Sequence, residues 1–206
     1  MELADSGDVE GVIKKMHHLK LPIHQRESIA SDIIRQLLQA LVHLDAHGII
    51  HRDVKPANLL LMSDPRQPGR YITKLADFGI AYFTTDFDHI TAEKAASDPT
   101  FKTGRASGTP GFMAPELERL GSRASSHKSD VFAAGITALV TVTFKMNPRS
   151  LAQSGASVEF MDFVLRALAV DPTKRPTAMQ LLQHPWLRNF QQQASASTLL
   201  SQVISA

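Results

Sequence analysis

The residues best suited to chemistry gather in one stretch, His51-Arg52-Asp53-Val54-Lys55-Pro56-Ala57-Asn58, with a second carboxylate at Asp77-Phe78-Gly79. A carboxylate, an ammonium and an amide this close together suit two tasks: holding a metal–phosphate and accepting a proton from a hydroxyl. Singly, none is diagnostic. Asp53 and Lys55 alone would be a surface ion pair worth roughly 0–1 kcal/mol. The ordered set carries the argument.

Around this stretch the chain reads as mainly helical. Residues 1–4 read as the end of a strand, and Asp5-Ser6-Gly7-Asp8 as a turn whose Asp8 caps a helix over 9–16. From about 25 to 47, Ala30, Ile33, Ile34, Leu37, Leu38, Leu41 and Leu44 recur at helical spacing, with Gly48 as a left-handed cap. Residues 58–62 and 71–75 predict a hairpin that carries the polar stretch forward to Asp77. Residues 81–107 are polar and unpatterned, and 129–144 are apolar almost all round, which suits a core helix, though the Val and Thr content also admits a strand. An amphipathic helix over 158–170 follows a loop at 147–157. Thr177 and Gln180 then open a last helix that His184-Pro185 ends. The Gln/Ser/Ala-rich end from 191 reads as a loosely attached tail, which gives a domain over 1–190 and a flexible segment over 191–206.

With 206 residues, 43% of them hydrophobic, the chain can bury one substantial core. A formal charge of +2 with scattered bases leaves no electrostatic footprint for nucleic acid. The absence of cysteine excludes disulfides and thiolate zinc sites. Apolar runs look too short to span a membrane and no leader peptide is visible, so the cytoplasm is the default expectation. His17, His18 and His24 surround a proline-bounded loop and read as solvated rather than metal-binding.

The run at 51–58 resembles the catalytic loop H-R-D-x-K-x-x-N of eukaryotic protein kinases, of the serine/threonine type. Asp77-Phe78-Gly79 resembles D-F-G and Ala114-Pro115-Glu116 resembles A-P-E. Asp130 to Gly135, Lys174-Arg175-Pro176 and His184-Pro185-Trp186 resemble later parts of the same fold, in the same order. The resemblance implies ATP and magnesium as cofactors and a protein Ser/Thr hydroxyl as acceptor. Asp53 would orient that hydroxyl and take its proton, and Lys55 would lie against the transferred phosphoryl group. Asn58 and Asp77 would bind magnesium, and Thr109 would hydrogen-bond Asp53 and Lys55. Glu2 and Ala4 would bond adenine through the backbone, Asp8 would reach the ribose, and Leu60 would floor the base. Structural roles fall to His51 and stacked Phe78, Gly79, Asp130 under the catalytic loop, and a buried Glu116–Arg175 pair. Arg52 would receive a phosphate placed by an upstream kinase on the 81–107 loop, with Thr103 and Ser107 as candidate acceptors.

The implied fold is a mainly α, protein-kinase-like C-terminal lobe with a small β-hairpin and no N-terminal lobe. A Gly-rich loop, a V-A-I-K lysine and a Glu-bearing helix have no counterparts in the sequence, and the stretch before 158 looks shortened. Two functions are therefore expected to compete: a serine/threonine kinase, weakly active or inactive as this chain alone, and a non-catalytic binding or regulatory module.

Overall fold

Asp8 opens the first helix. In the computed structural model, which describes residues 4–83, 107–191 and 195–206, its carboxylate accepts the Gly11 N–H at 2.7 Å and α1 runs over Val9–His18. Helix α2, Ile23–Ala46, is the long amphipathic helix its apolar spacing predicts; Ile29, Ile33, Ile34, Leu37 and Leu38 are buried. It ends where Gly48 turns left-handed at φ 65°.

Strands β1 (Ile49–Ile50), β2 (Leu59–Ser63), β3 (Tyr71–Leu75) and β4 (Tyr82–Phe83) form two antiparallel pairs. In the hairpin, Leu59 faces Leu75 and Ser63 faces Tyr71. Asn58, expected in the strand, instead ends a 3-10 turn over Pro56–Asn58. The other pair, Ile49 with Phe83 and Ile50 with Tyr82, departs from the expectation of an unpatterned loop from 81. Two residues are too few to show periodicity.

The remaining elements are α3 (Pro115–Leu120), α4 (His127–Thr143), α5 (Val158–Ala167), α6 (Ala178–Leu182), α7 (Pro185–Gln191) and α8 (Ser195–Ser205). Helix α4 settles the helix-or-strand ambiguity. The hydroxyls of Thr137, Thr141 and Thr143 donate to the carbonyls of Ala133, Thr137 and Leu139 at 2.9, 2.7 and 2.8 Å, so a Thr-rich helix is buried with its polar atoms satisfied. Gly135 lets α5 approach: a Cβ there would lie 2.8 Å from that of Ala167. The run His127–Gln153 is, by length and composition alone, apolar enough to cross a membrane, against the expectation that no segment is. Its α4 portion spends that apolarity packing against α2 and α5.

Helix α5 stops at Ala167, three residues short of the expected end. Thr177 and Gln180 form the predicted capping box. That helix ends just ahead of His184-Pro185, as expected, but it is not the last: Pro185 starts α7, a position where its missing N–H costs nothing. The end of the chain departs from the loose tail its composition suggests. Ala196, Leu200 and Val203 are buried, and α8 packs on α1, α2 and β3. The sheets are small and the core lies between α2 and the helices after β4, so the chain is mainly α, as expected.

Candidate active site

The catalytic stretch lies between the end of β1 and the start of β2, with α4 behind it. The buried Asp130 carboxylate, in the first turn of α4, accepts the backbone N–H of His51 at 2.7 Å and of Arg52 at 2.9 Å. Burial pushes this carboxyl up to about 6, while the two N–H donors and the nearby Arg52 charge pull the other way. The loop it holds carries Arg52 in the left-handed region at φ 68°. The Arg52 side chain donates to the Ile80 carbonyl and lies over the Tyr82 ring at 5.6 Å.

His51 is buried, and burial lowers its basicity against the pull of the Ala76 carbonyl. Nε2 lies 3.0 Å from that carbonyl, and Nδ1 accepts the Asp53 N–H at 3.3 Å. Both bonds suit a neutral ring protonated on Nε2. Phe78 meets His51 edge to face at 4.8 Å, as the resemblance implied.

Asp53 is where the site converges. Its Oδ1 accepts the N–H of Thr109 at 3.0 Å and the hydroxyl of Thr109 at 2.6 Å. Its Oδ2 accepts Lys55 Nζ at 2.7 Å and Asn58 Nδ2 at 3.1 Å. Lys55 also donates to Thr109 Oγ1 at 2.7 Å, and Asn58 to the Asp53 carbonyl at 2.8 Å. A carboxylate offers about four lone-pair positions, and all are in use. Burial pushes Asp53 up, but bonds from Lys55 and Thr109, the Lys55 charge and the Asn58 bond outweigh it and hold the carboxyl below its ordinary value.

Asn58 spends its amide nitrogen on Asp53, which leaves Oδ1 as the atom that could hold a metal. Asp77 is exposed at φ 64°, its carboxylate touched by the Gly79 N–H at 3.3 Å. No cluster of three or more His, Cys, Asp or Glu able to hold a metal occurs among the described residues. The Asn58 amide oxygen and the exposed Asp77 carboxylate suit an ion that takes its other ligands from phosphate and water.

Farther out, Glu116 and Arg175 form the expected buried pair. Two bonds of 2.8 and 3.1 Å join them, and the guanidinium also donates to the carbonyls of Lys128 and Ala169. Asp8 and Leu60 are bridged through their backbones, and the Leu61 N–H reaches the Gly7 carbonyl at 2.8 Å. The turn at 5–8 thus lies along β2, a contact the sequence did not signal. Ala4 is half-buried and outside any helix or strand. Glu2 and Thr103 fall outside the described residues. Ser107 is buried and bonded to Ser122.

The protein kinase domain family model matches residues 1–187. Among curated relatives, a calcium/calmodulin-dependent protein kinase, cmkB of Emericella nidulans, is 32% identical over 78% of this chain and 41% of its own length. The serine/threonine-protein kinase ppk11 of Schizosaccharomyces pombe is 30% identical over 92% of this chain and 58% of its own length. The serine/threonine-protein kinase DCLK3 of Mus musculus is 33% identical over 91% of this chain and 23% of its own length. This chain therefore spans less than two thirds of each of these relatives. The solved structure of the Rad53 kinase domain and SCD2 superposes with a TM-score of 0.68 at 25% identity, over 100% of this chain and 74% of the other. With the family model running through the catalytic loop, the Asp53 cluster and the buried Glu116–Arg175 anchor, this chain belongs to the eukaryotic protein kinase family.

Proposed function

We propose that this protein transfers the γ-phosphoryl group of ATP to a Ser or Thr hydroxyl of a protein, with Asp53 as the base. The observation that carries the proposal is the pairing of donors on Asp53. Oδ1 is held twice by Thr109, through its N–H and its hydroxyl. Oδ2 is held by Lys55, whose charge a phosphoryl group would claim, and by the Asn58 amide nitrogen, which leaves the Asn58 amide oxygen for a metal. When Lys55 is drawn to the phosphoryl group, Oδ2 keeps its Asn58 bond and opens a position to an incoming hydroxyl, and the carboxylate stays fixed through Oδ1.

Magnesium bound with ATP supplies neutralisation of charge on the phosphates, and Asn58 Oδ1 and the Asp77 carboxylate are the groups that would hold it. Lys55 carries a positive charge to the transferred group. Lys55 is among the groups that hold the Asp53 carboxyl below its ordinary range, so Asp53 gains proton affinity when Lys55 turns to the transferred group. Ala4, Asp8 and Leu60 would meet the nucleoside, with Asp8 doubling as the cap of α1.

The test uses the full protein with ATP and a Ser/Thr peptide library, comparing wild type with Asp53→Asn. Loss of roughly 10²-fold or more in kcat with an unchanged circular dichroism spectrum is expected, in line with removal of a general base. Equal activity in both proteins would overturn the role of Asp53. A wild type that gains thermal stability with ATP yet transfers no phosphate would favour the binding-module reading instead.

A further inference from the structure

We infer that Ser122 is a positioning residue: its hydroxyl latches the backbone of Ser107 and thereby seats Thr109 on Asp53. The inference rests on the phosphoryl-transfer reading above.

Three consecutive residues are pinned in different ways. The Ser107 N–H donates to Ser122 Oγ at 2.9 Å, and the two hydroxyls lie 3.4 Å apart. Both serines are buried. Gly108 has φ +135°, and a Cβ there would lie 2.8 Å from the Arg52 carbonyl oxygen, so the chain crosses the catalytic loop in direct contact. Thr109 then makes its two bonds to Oδ1 of Asp53. Glycine at 108 supplies close approach but also conformational freedom, so something on its other side must set the direction of entry. Ser107 is that point, and Ser122 is its anchor.

The anchor is itself well placed. Ser122 opens the 3-10 turn Ser122–Ala124, directly after α3, which carries Glu116. Ser126, just beyond the turn, caps α4, which carries Asp130. One hydroxyl therefore ties the Thr109 segment to the junction between the Glu116–Arg175 pair and the Asp130 cradle. The contact joins residues 15 apart in sequence. Ser107 was also a candidate phosphate acceptor; with its N–H and hydroxyl turned inward to Ser122, it serves the latch in this conformation.

The test compares Ser122→Ala, Ser122→Thr and Ser107→Ala in the full protein, with Asp53→Asn as control, using ATP and a Ser/Thr peptide library. Activity is expressed per folded molecule from circular dichroism. Ser122→Ala should lose roughly tenfold in kcat with KM for ATP unchanged, the size expected of a small misplacement. Ser107→Ala keeps the N–H bond and should lose less; Ser122→Thr keeps the hydroxyl and should restore most of the rate. An unchanged kcat, a rise in KM for ATP in place of the loss in kcat, or a loss that Ser122→Thr does not restore would overturn the latch. If Asp53→Asn is fully active, the reading beneath it fails; if Asp53→Asn is inactive and Ser122→Ala is normal, only the latch fails.

Discussion

Two buried carboxylates anchor this molecule, and they do so by different physics. Glu116 faces a guanidinium: Arg175 meets it at 2.8 and 3.1 Å and spends its other donors on the carbonyls of Lys128 and Ala169. Asp130 faces backbone, accepting two N–H groups from the catalytic loop. The first anchor is remote from Asp53 and can use a full positive charge. The second lies directly behind the catalytic loop, where an added cation would compete with Lys55 for Asp53. Amide dipoles hold the loop without bringing such a charge. Arg52 is the cation close by, and its side chain is engaged with the Ile80 carbonyl and the Tyr82 ring.

The largest effect should come from breaking the ionic anchor. Arg175→Met would leave the Glu116 carboxylate buried without its partner and would free the Ala169 and Lys128 carbonyls. A loss of roughly 3–5 kcal/mol is expected, because the remaining charge bears the full cost of desolvation. Urea unfolding at neutral pH measures it. A loss below about 1 kcal/mol would mean the pair is not the anchor it resembles. Asp130→Asn should cost less, roughly 1–3 kcal/mol, since the amide keeps one acceptor and turns its NH₂ toward the second N–H. If Asp130→Asn proved the more damaging of the two, the comparison would be reversed.

How much of this was legible in the sequence depends on the range of the interaction. Helix α2 was legible because seven apolar residues keep the 3.6 period. The Asp53, Lys55, Asn58 and Asp77 set was legible because the chemistry is packed into short motifs. Strand β4 was not, because its two residues become a strand only when Ile49 and Ile50 lie beside them. Helix α4 was ambiguous because Val and Thr favour strands; its threonine hydroxyls resolve the matter by returning to carbonyls of the same helix, which composition does not show. The end of the chain was misjudged from its Gln and Ser content, although Ala196, Leu200 and Val203 already carry the spacing of one helical face. Ser107 and Ser122 had no local signal at all; only the tertiary fold brings them together.

The smallest expected effect reads the Asp130 anchor by pH. Burial raises Asp130 to about 6 in the folded protein, above its ordinary 3.8, against the pull of the His51 and Arg52 N–H groups. The folded state then binds this proton more tightly than the unfolded chain does. Its contribution to stability is complete below about 4 and is lost as pH rises through about 6. Asp53 has the opposite sign: its carboxyl is held low, so its contribution is present above its ordinary value and is lost as pH falls through the folded one. Asp130→Asn removes the first dependence and leaves the second. The deficit of that variant should therefore be larger at pH 4.5 than at pH 7, narrowing by on the order of 1 kcal/mol, since one pKa unit corresponds to about 1.4 kcal/mol. Urea titrations of both proteins across that range measure it. A deficit that stays constant or widens with pH would show that the two N–H donors offset the burial of Asp130 in full.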